Sequence, residues 1–281
     1  MERKGRDTSY SNFVMKLMLV CTILILGSAI IFSFNRALQK DKKDNKQEEE
    51  LTSEEKLINK LYGYVTFGRD EQLMNYFYQF KELTTDTFDG LEKVKYAFNL
   101  LEEDKLNKID DKTYSIDADI YNGYIKTMFG ENTTYDNSKE VSIFTNKILK
   151  NSIMTISFDK EKNQYIISRI NGFKKTDEQI KPFYYKLEDY NIDNANKQIT
   201  INEKFIFVEK EISENGKDIT GINIYKDIYH EKILKSIDYP STSQIEKFNY
   251  NDYIKDGGSI TYTFKLDNNN NYYFYSSNIN E

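Results

Sequence analysis

The chain is 281 residues long and carries 39 Lys and Arg against 45 Asp and Glu, a net charge of −6. That balance supplies no basic face to match a phosphate backbone, which argues against nucleic-acid binding. One histidine, one cysteine and no tryptophan argue against a zinc site and remove the preferred aromatic platform for sugars.

Residues 1–12 are a short N-terminal tail. From Leu17 to Phe34 there are 18 residues without a charge, which as a helix would span roughly 27 Å, about the thickness of a bilayer's hydrocarbon core. With Phe13, Val14 and Met15 in front of it, the segment 13–35 is expected to be a transmembrane helix whose partner is the lipid bilayer. A cleavable signal peptide needs a shorter apolar run ending in small residues, and this one ends in the bulky "IIFSFN". A lipoprotein signal around Cys21 fails because Val20 precedes the cysteine and most of the apolar run follows it. Lys and Arg flank both ends: Arg3, Lys4, Arg6 and Lys16 before, Arg36, Lys40, Lys42, Lys43 and Lys46 after. The count leans slightly against export of the larger part. A short N-terminal tail normally stays inside, so residues 36–281 are expected outside the cell. Residues 36–50, with the apolar-free run "QKDKKDNKQEEE", read as a charged, solvated stalk.

Beyond the stalk, a hydrophobic fraction of 39% and an aromatic fraction of 15% over the whole chain supply a core rather than a disordered tail. The excess of Lys, Asn, Ile and Tyr fits the coding bias of a low-GC bacterium. In "TSEEKLINKLYGYVTFG", Thr52 and Glu55 stand at capping-box spacing and Leu57, Leu61 and Val65 repeat helically. "DEQLMNYFYQF" continues with Leu73, Phe77 and Phe80 on one face. "DTFDGLEKVKYAFNLLEEDK" places Leu91, Val94, Phe98 and Leu101 on an amphipathic helix. All three stripes read as core.

After residue 105 the period becomes two. Met154, Ile156 and Phe158 alternate, then Tyr165 and Ile167 follow a polar turn. Asn215-Gly216 separates two alternating runs, a strong hairpin signal. "SITYTFKLDNNNNYYFYSS" is another hairpin with Tyr262, Phe264 and Leu266 on one face. Comparing 112–173 with 220–281 gives 13 identities in 62 positions, among them Asp119-Ile120-Tyr121 with Asp227-Ile228-Tyr229. This predicts an internal duplication, each copy a short strand, a helix starting near the Asp-Ile-Tyr, and a hairpin. Ile120 with Ile228, and Ile125 with Ile233, are then equivalent core positions. The expected architecture is α+β, a helical segment followed by antiparallel β hairpins with packed helices. Two tandem units are expected, a helix-rich α+β domain at 51–173 and a β-rich one at 174–281.

Chemistry is sparse. A Ser-His-Asp triad would have to use His230, which the repeat places at a polar helix position, where a surface histidine is expected. "DNNNNY" from Asp267 resembles the start of a calcium loop, but Tyr272 stands where a Gly is required and Asn278 where a Glu is required. It reads as a hairpin tip. Tyr184, Tyr185, Tyr272, Tyr273 and Tyr275 read as cross-strand packing. No residue is nominated as catalytic, cofactor-binding or metal-binding, and no cofactor is expected. The expected function is a non-enzymatic, single-pass membrane-anchored binding module facing an extracytoplasmic protein or cell-wall partner. The alternatives are an envelope hydrolase using carboxylates and an accessory subunit of a membrane complex.

Overall fold

The structure is a computed structural model that describes residues 51–67, 76–145, 148, 152–172, 181–214, 218–238 and 248–280. The tail, the apolar span 13–35 and the stalk lie outside the described residues, as do Leu73, the Asn215-Gly216 turn and the boundary at 173/174. Among the described residues no helix is long and apolar enough to cross a membrane.

From Ser53 onward the chain forms one compact α+β unit. It opens with helix α1 (Ser53–Thr66), which buries Ile58, Leu61, Tyr64 and Val65. A 3-10 turn (Tyr76–Gln79) leads into the short strand β1 (Glu82–Thr84), then helix α2 (Gly90–Ala97). The stripe expected on one helix outruns it: Leu91 is half-buried and Val94 buried on α2, while Phe98 and Leu101, also buried, lie in and just after a 3-10 turn (Phe98–Leu100). Phe77 also enters the core, whereas Phe80 does not follow it. The expected helix is only a 3-10 turn that ends at Gln79, so Phe80 lies beyond it and its helical spacing from Phe77 no longer applies.

Two antiparallel sheets follow. The smaller has the order β2-β3-β6-β5-β4, built from Asn107–Lys108, Thr113–Asp117, Gln164–Gly172, Ser152–Asp159 and Val141–Thr145 respectively. The larger has the order β1-β12-β11-β8-β9-β10, with β7 also paired to β8. Its strands are β7 (Phe183–Asp193), β8 (Gln198–Ile212), β9 (Ile219–Tyr225), β10 (Ile233–Asp238), β11 (Gly258–Leu266) and β12 (Tyr272–Asn280). The long strand β8 organises this sheet. On one edge it pairs with β7, and on the other with β11 as far as Phe205 and then with β9 from Phe207. The hairpins read around Asn163, Asn215-Gly216 and Asn270 are therefore present as β5–β6, β8–β9 and β11–β12.

Helix α3 (Ala118–Phe129) links the two sheets through one face of Tyr121, Ile125, Met128 and Phe129. Tyr121 packs on Tyr165 of the smaller sheet at 4.5 Å, and Phe129 on Phe274 of the larger at 6.2 Å. Around it the core is aromatic. Phe77 meets Phe88, Tyr96, Tyr262 and Phe274 edge-on, with centroids 5.2 to 5.5 Å apart. Edge-to-face contact sets the positive rim of one ring against the negative face of the next. The opposite face of β8 and β9 buries Ile206, Val208, Ile222 and Ile224 beneath Tyr184, Phe248 and the short helix α4 (Asn251–Ile254).

The duplication does not survive as architecture. Asp117 caps α3 by accepting from the Asp119 amide at 2.8 Å, whereas the position 108 residues on is Tyr225, which supplies no capping oxygen. There Asp227 spends its carboxylate on the amides of Tyr229, Glu231 and Lys232, closing a turn that runs straight into β10. Ile120 is 38% exposed and Ile233 is also exposed, so neither is a core position; of the expected pairs only Ile125 is fully buried. The two hairpins also sit differently, β6 beside β3 and β12 beside β1. Their tips, Lys160–Lys162 and Asn268–Asn270, are exposed as expected.

Two outcomes follow. Ile125→Ala should lower unfolding free energy by about 2–5 kcal/mol and Ile120→Ala by no more than about 0.5, measured by urea titration. Burial pushes the phenols of Tyr64 and Tyr165 up to about 12 and raises that of Tyr121 well above its ordinary value. The folded state thus holds protons that the unfolded chain releases near pH 10. Their stabilising contribution should be complete below about pH 10 and disappear as pH rises towards 12, with tyrosinate absorbance and loss of circular dichroism appearing together.

Candidate functional site

A cavity with convergent polar groups is built around the start of α2. Thr84 and Thr87 close the turn between β1 and α2 through the Thr84 amide and the Thr87 hydroxyl, 2.9 Å apart. Asp89 then caps the helix, its Oδ1 accepting from the amides of Leu91 at 2.9 Å and Glu92 at 3.0 Å. Gly90 is required next. A Cβ there would lie 2.6 Å from the backbone nitrogen of Asp136, so only glycine lets the helix press against the loop after α3. One turn along, Lys93 is 1% exposed and donates to the Thr134 carbonyl at 2.7 Å. Burial lowers its pKa, and Asp86 and Asp89 oppose that shift.

These contacts hold the loop and β4 away from the 3-10 turn, leaving an open cleft of about 590 Å³. One wall is Tyr76 and Gln79. The floor and opposite wall are Asp89, Leu91, Glu92 and Lys95, and the lip is Val141 and Ser142. The Tyr76 hydroxyl accepts from the Asp89 amide at 3.2 Å and keeps its own proton to donate. Its pKa is raised, chiefly by burial. Lys95 pairs with Glu92 Oε1 at 3.2 Å, while Glu92 Oε2 is buried without a hydrogen-bond partner. A cleft with two carboxylates, one ammonium, a carboxamide and two hydroxyls can grip a polar ligand from several directions. Among the described residues no group of three or more His, Cys, Asp or Glu is placed to hold a metal ion.

The residues weighed in the sequence lie elsewhere. His230 is on the surface as expected, but in the turn after β9 rather than on a helix, in the left-handed region at φ 59°. Its ring stacks on Tyr225 at 4.3 Å, with Nδ1 3.6 Å from Glu209 Oε2. Asp267 is a turn residue, its Oδ1 accepting from the amides of Asn269 and Asn271 at 2.8 Å each. Tyr184 stacks on Tyr250, Tyr185 on Phe183, and the Lys265 ammonium lies 3.3 Å above the centre of the Tyr275 ring. Sequence reasoning missed a buried site. Glu203 in β8 is 0% exposed and accepts from the Tyr62 hydroxyl at 2.5 Å, from Tyr78, and from Tyr262 at 3.4 Å. The signal was its phase, since Ile199, Ile201, Phe205 and Phe207 share the inward face of β8 with it.

No protein-family model, curated protein or solved structure matches the chain.

Asp89→Ala leaves two helix amides without their acceptor and should cost about 1 kcal/mol in urea unfolding, within a range of about 0.5–2. Asp89→Asn, which keeps an acceptor, should recover most of it.

Proposed function

We propose that this chain is a single-pass membrane-anchored binding protein, held in the bilayer by Leu17 to Phe34, with residues 36–281 displayed outside the cell and a ligand taken by the cleft at the start of α2. The observation that carries the reading is the cleft itself, where side chains from a 3-10 turn, a helix N-terminus and a strand converge on one open volume. The uncharged span and the charged stalk in the sequence support the attachment. Asp89 and Glu92 in one cleft are the ground for the rival reading, a carboxylate hydrolase. Binding is favoured because Asp89 is already committed to capping α2 through two backbone amides, which leaves Glu92 without a second free carboxylate for acid and base work.

The protein should remain with membranes after carbonate extraction, keep its full mass, and be cut by protease added to wall-stripped cells. A soluble form beginning near Ala37 would contradict the anchor. A photo-crosslinking residue at exposed Ser142 should capture an envelope component in intact cells, while the same residue at Lys160, on the β5–β6 tip, should not. Equal capture at both positions, or none at Ser142, would contradict the cleft as the binding site, and turnover of a captured polymer would favour the hydrolase.

A further inference from the structure

Two exposed aromatic rings, Tyr229 and Phe80, contact residues that line the cleft. Tyr229 is 67% exposed, yet it is not loose: Asp227 holds its amide at 2.9 Å, and its hydroxyl donates to the Gln79 carbonyl at 3.2 Å. That bond ties the Tyr229 hydroxyl to the backbone of Gln79, a residue that lines the cleft. Phe80, the next residue, is 38% exposed and packs on Tyr76 with centroids 4.9 Å apart. Exposed rings fixed by hydrogen bonds and packing present an apolar face to water with little conformational entropy left to lose on binding.

A ligand that suits both halves must carry an apolar face and a polar edge on one rigid unit. A pyranose ring does so, with C–H groups on its face and hydroxyls round its rim. Its face can lie on Tyr229 or Phe80 while its hydroxyls donate to Glu92, accept from Lys95, and do both with Gln79. The two carboxylates against one ammonium disfavour an acidic polymer. The cleft is too polar to anchor an apolar peptide side chain. We infer that the ligand is an oligosaccharide without acidic groups, stacked on Tyr229 or Phe80 and hydrogen-bonded within the cleft.

This rests on the anchored-binding reading and names its ligand class. The test is saturation-transfer NMR and calorimetry on the full-length protein in phosphocholine nanodiscs, free of sugar detergents. The probes are hexamers of N-acetylglucosamine, glucosamine and galacturonate, at physiological salt. At least one of the first two should bind and galacturonate should not. Tyr229→Ala should weaken that binding about tenfold, the loss of one stacking contact, with the unfolding midpoint unchanged because the ring is exposed. Binding of galacturonate alone, equal binding of all three, no binding at all, or affinity indifferent to Tyr229→Ala would each overturn the inference. If no hexamer binds but Ser142 still crosslinks to an envelope component, only the ligand class falls. If Ser142 captures nothing as well, the binding reading falls with it.

Discussion

A carboxylate in the middle of an aromatic core ties this fold together. Glu203 sits on the inward face of β8, where its neighbours are Ile201 and Phe205, and it is fully buried. An acceptor with that burial is costly unless donors meet it. Here the donors are tyrosine hydroxyls from three separate elements: Tyr62 on α1, Tyr78 in the 3-10 turn and Tyr262 on β11. Two of them lie more than a hundred positions away in the chain, at separations of 141 and 125 residues. The bonds therefore fix where the N-terminal helix and turn dock on the larger sheet, which apolar packing alone would leave more degenerate.

The cleft depends on the same tie. Within the 3-10 turn, successive side chains diverge: Phe77 enters the aromatic core, Tyr78 reaches Glu203, and Tyr76 and Gln79 line the cleft. The turn cannot slide without breaking the Tyr78 bond, so the cleft wall is set from beneath. The opposite wall is set by the Asp89 cap, the Gly90 contact and the Lys93 bond to Thr134. With 12 Gly and 2 Pro in the whole chain, carboxylates shape many of the turns and caps. Asp89 and Asp117 cap helices, and Asp159, Asp193, Asp227 and Asp267 accept backbone amides in turns. An Asx side chain imitates a backbone turn, which is how a chain poor in Gly and Pro can still reverse direction.

Local pattern was legible in the sequence where one physical rule acted alone. The alternation through Met154–Phe158 and Tyr262–Leu266 gave the hairpins, and the stripe Val94, Phe98, Leu101 gave buried positions, although α2 ends at Ala97 and the last two lie in and just after a 3-10 turn. Similarity at an offset of 108 misled because it counted identities at Asp119 and Asp227 but not the residue two places earlier, where Asp117 can cap a helix and Tyr225 cannot. Glu203 and Lys93 were illegible to composition, yet each stands in phase with an apolar face, Glu203 every second residue on β8 and Lys93 beside Val94 and Ala97 on α2. A charged residue in phase with a buried stripe predicts a partner from elsewhere in the chain. The partner's identity is a tertiary fact, and so is the cleft, whose walls come from residues as distant as Tyr76 and Ser142.

The central claim, that Glu203 holds the 3-10 turn through Tyr78, is tested most directly by a double-mutant cycle of Tyr78→Phe and Glu203→Met in urea unfolding. A coupling of about 1–3 kcal/mol is predicted, because the Tyr78 hydroxyl left behind by Glu203→Met is a buried donor without its acceptor and Tyr78→Phe removes it. A coupling within about 0.3 kcal/mol of zero would show the two substitutions acting independently and would contradict the account.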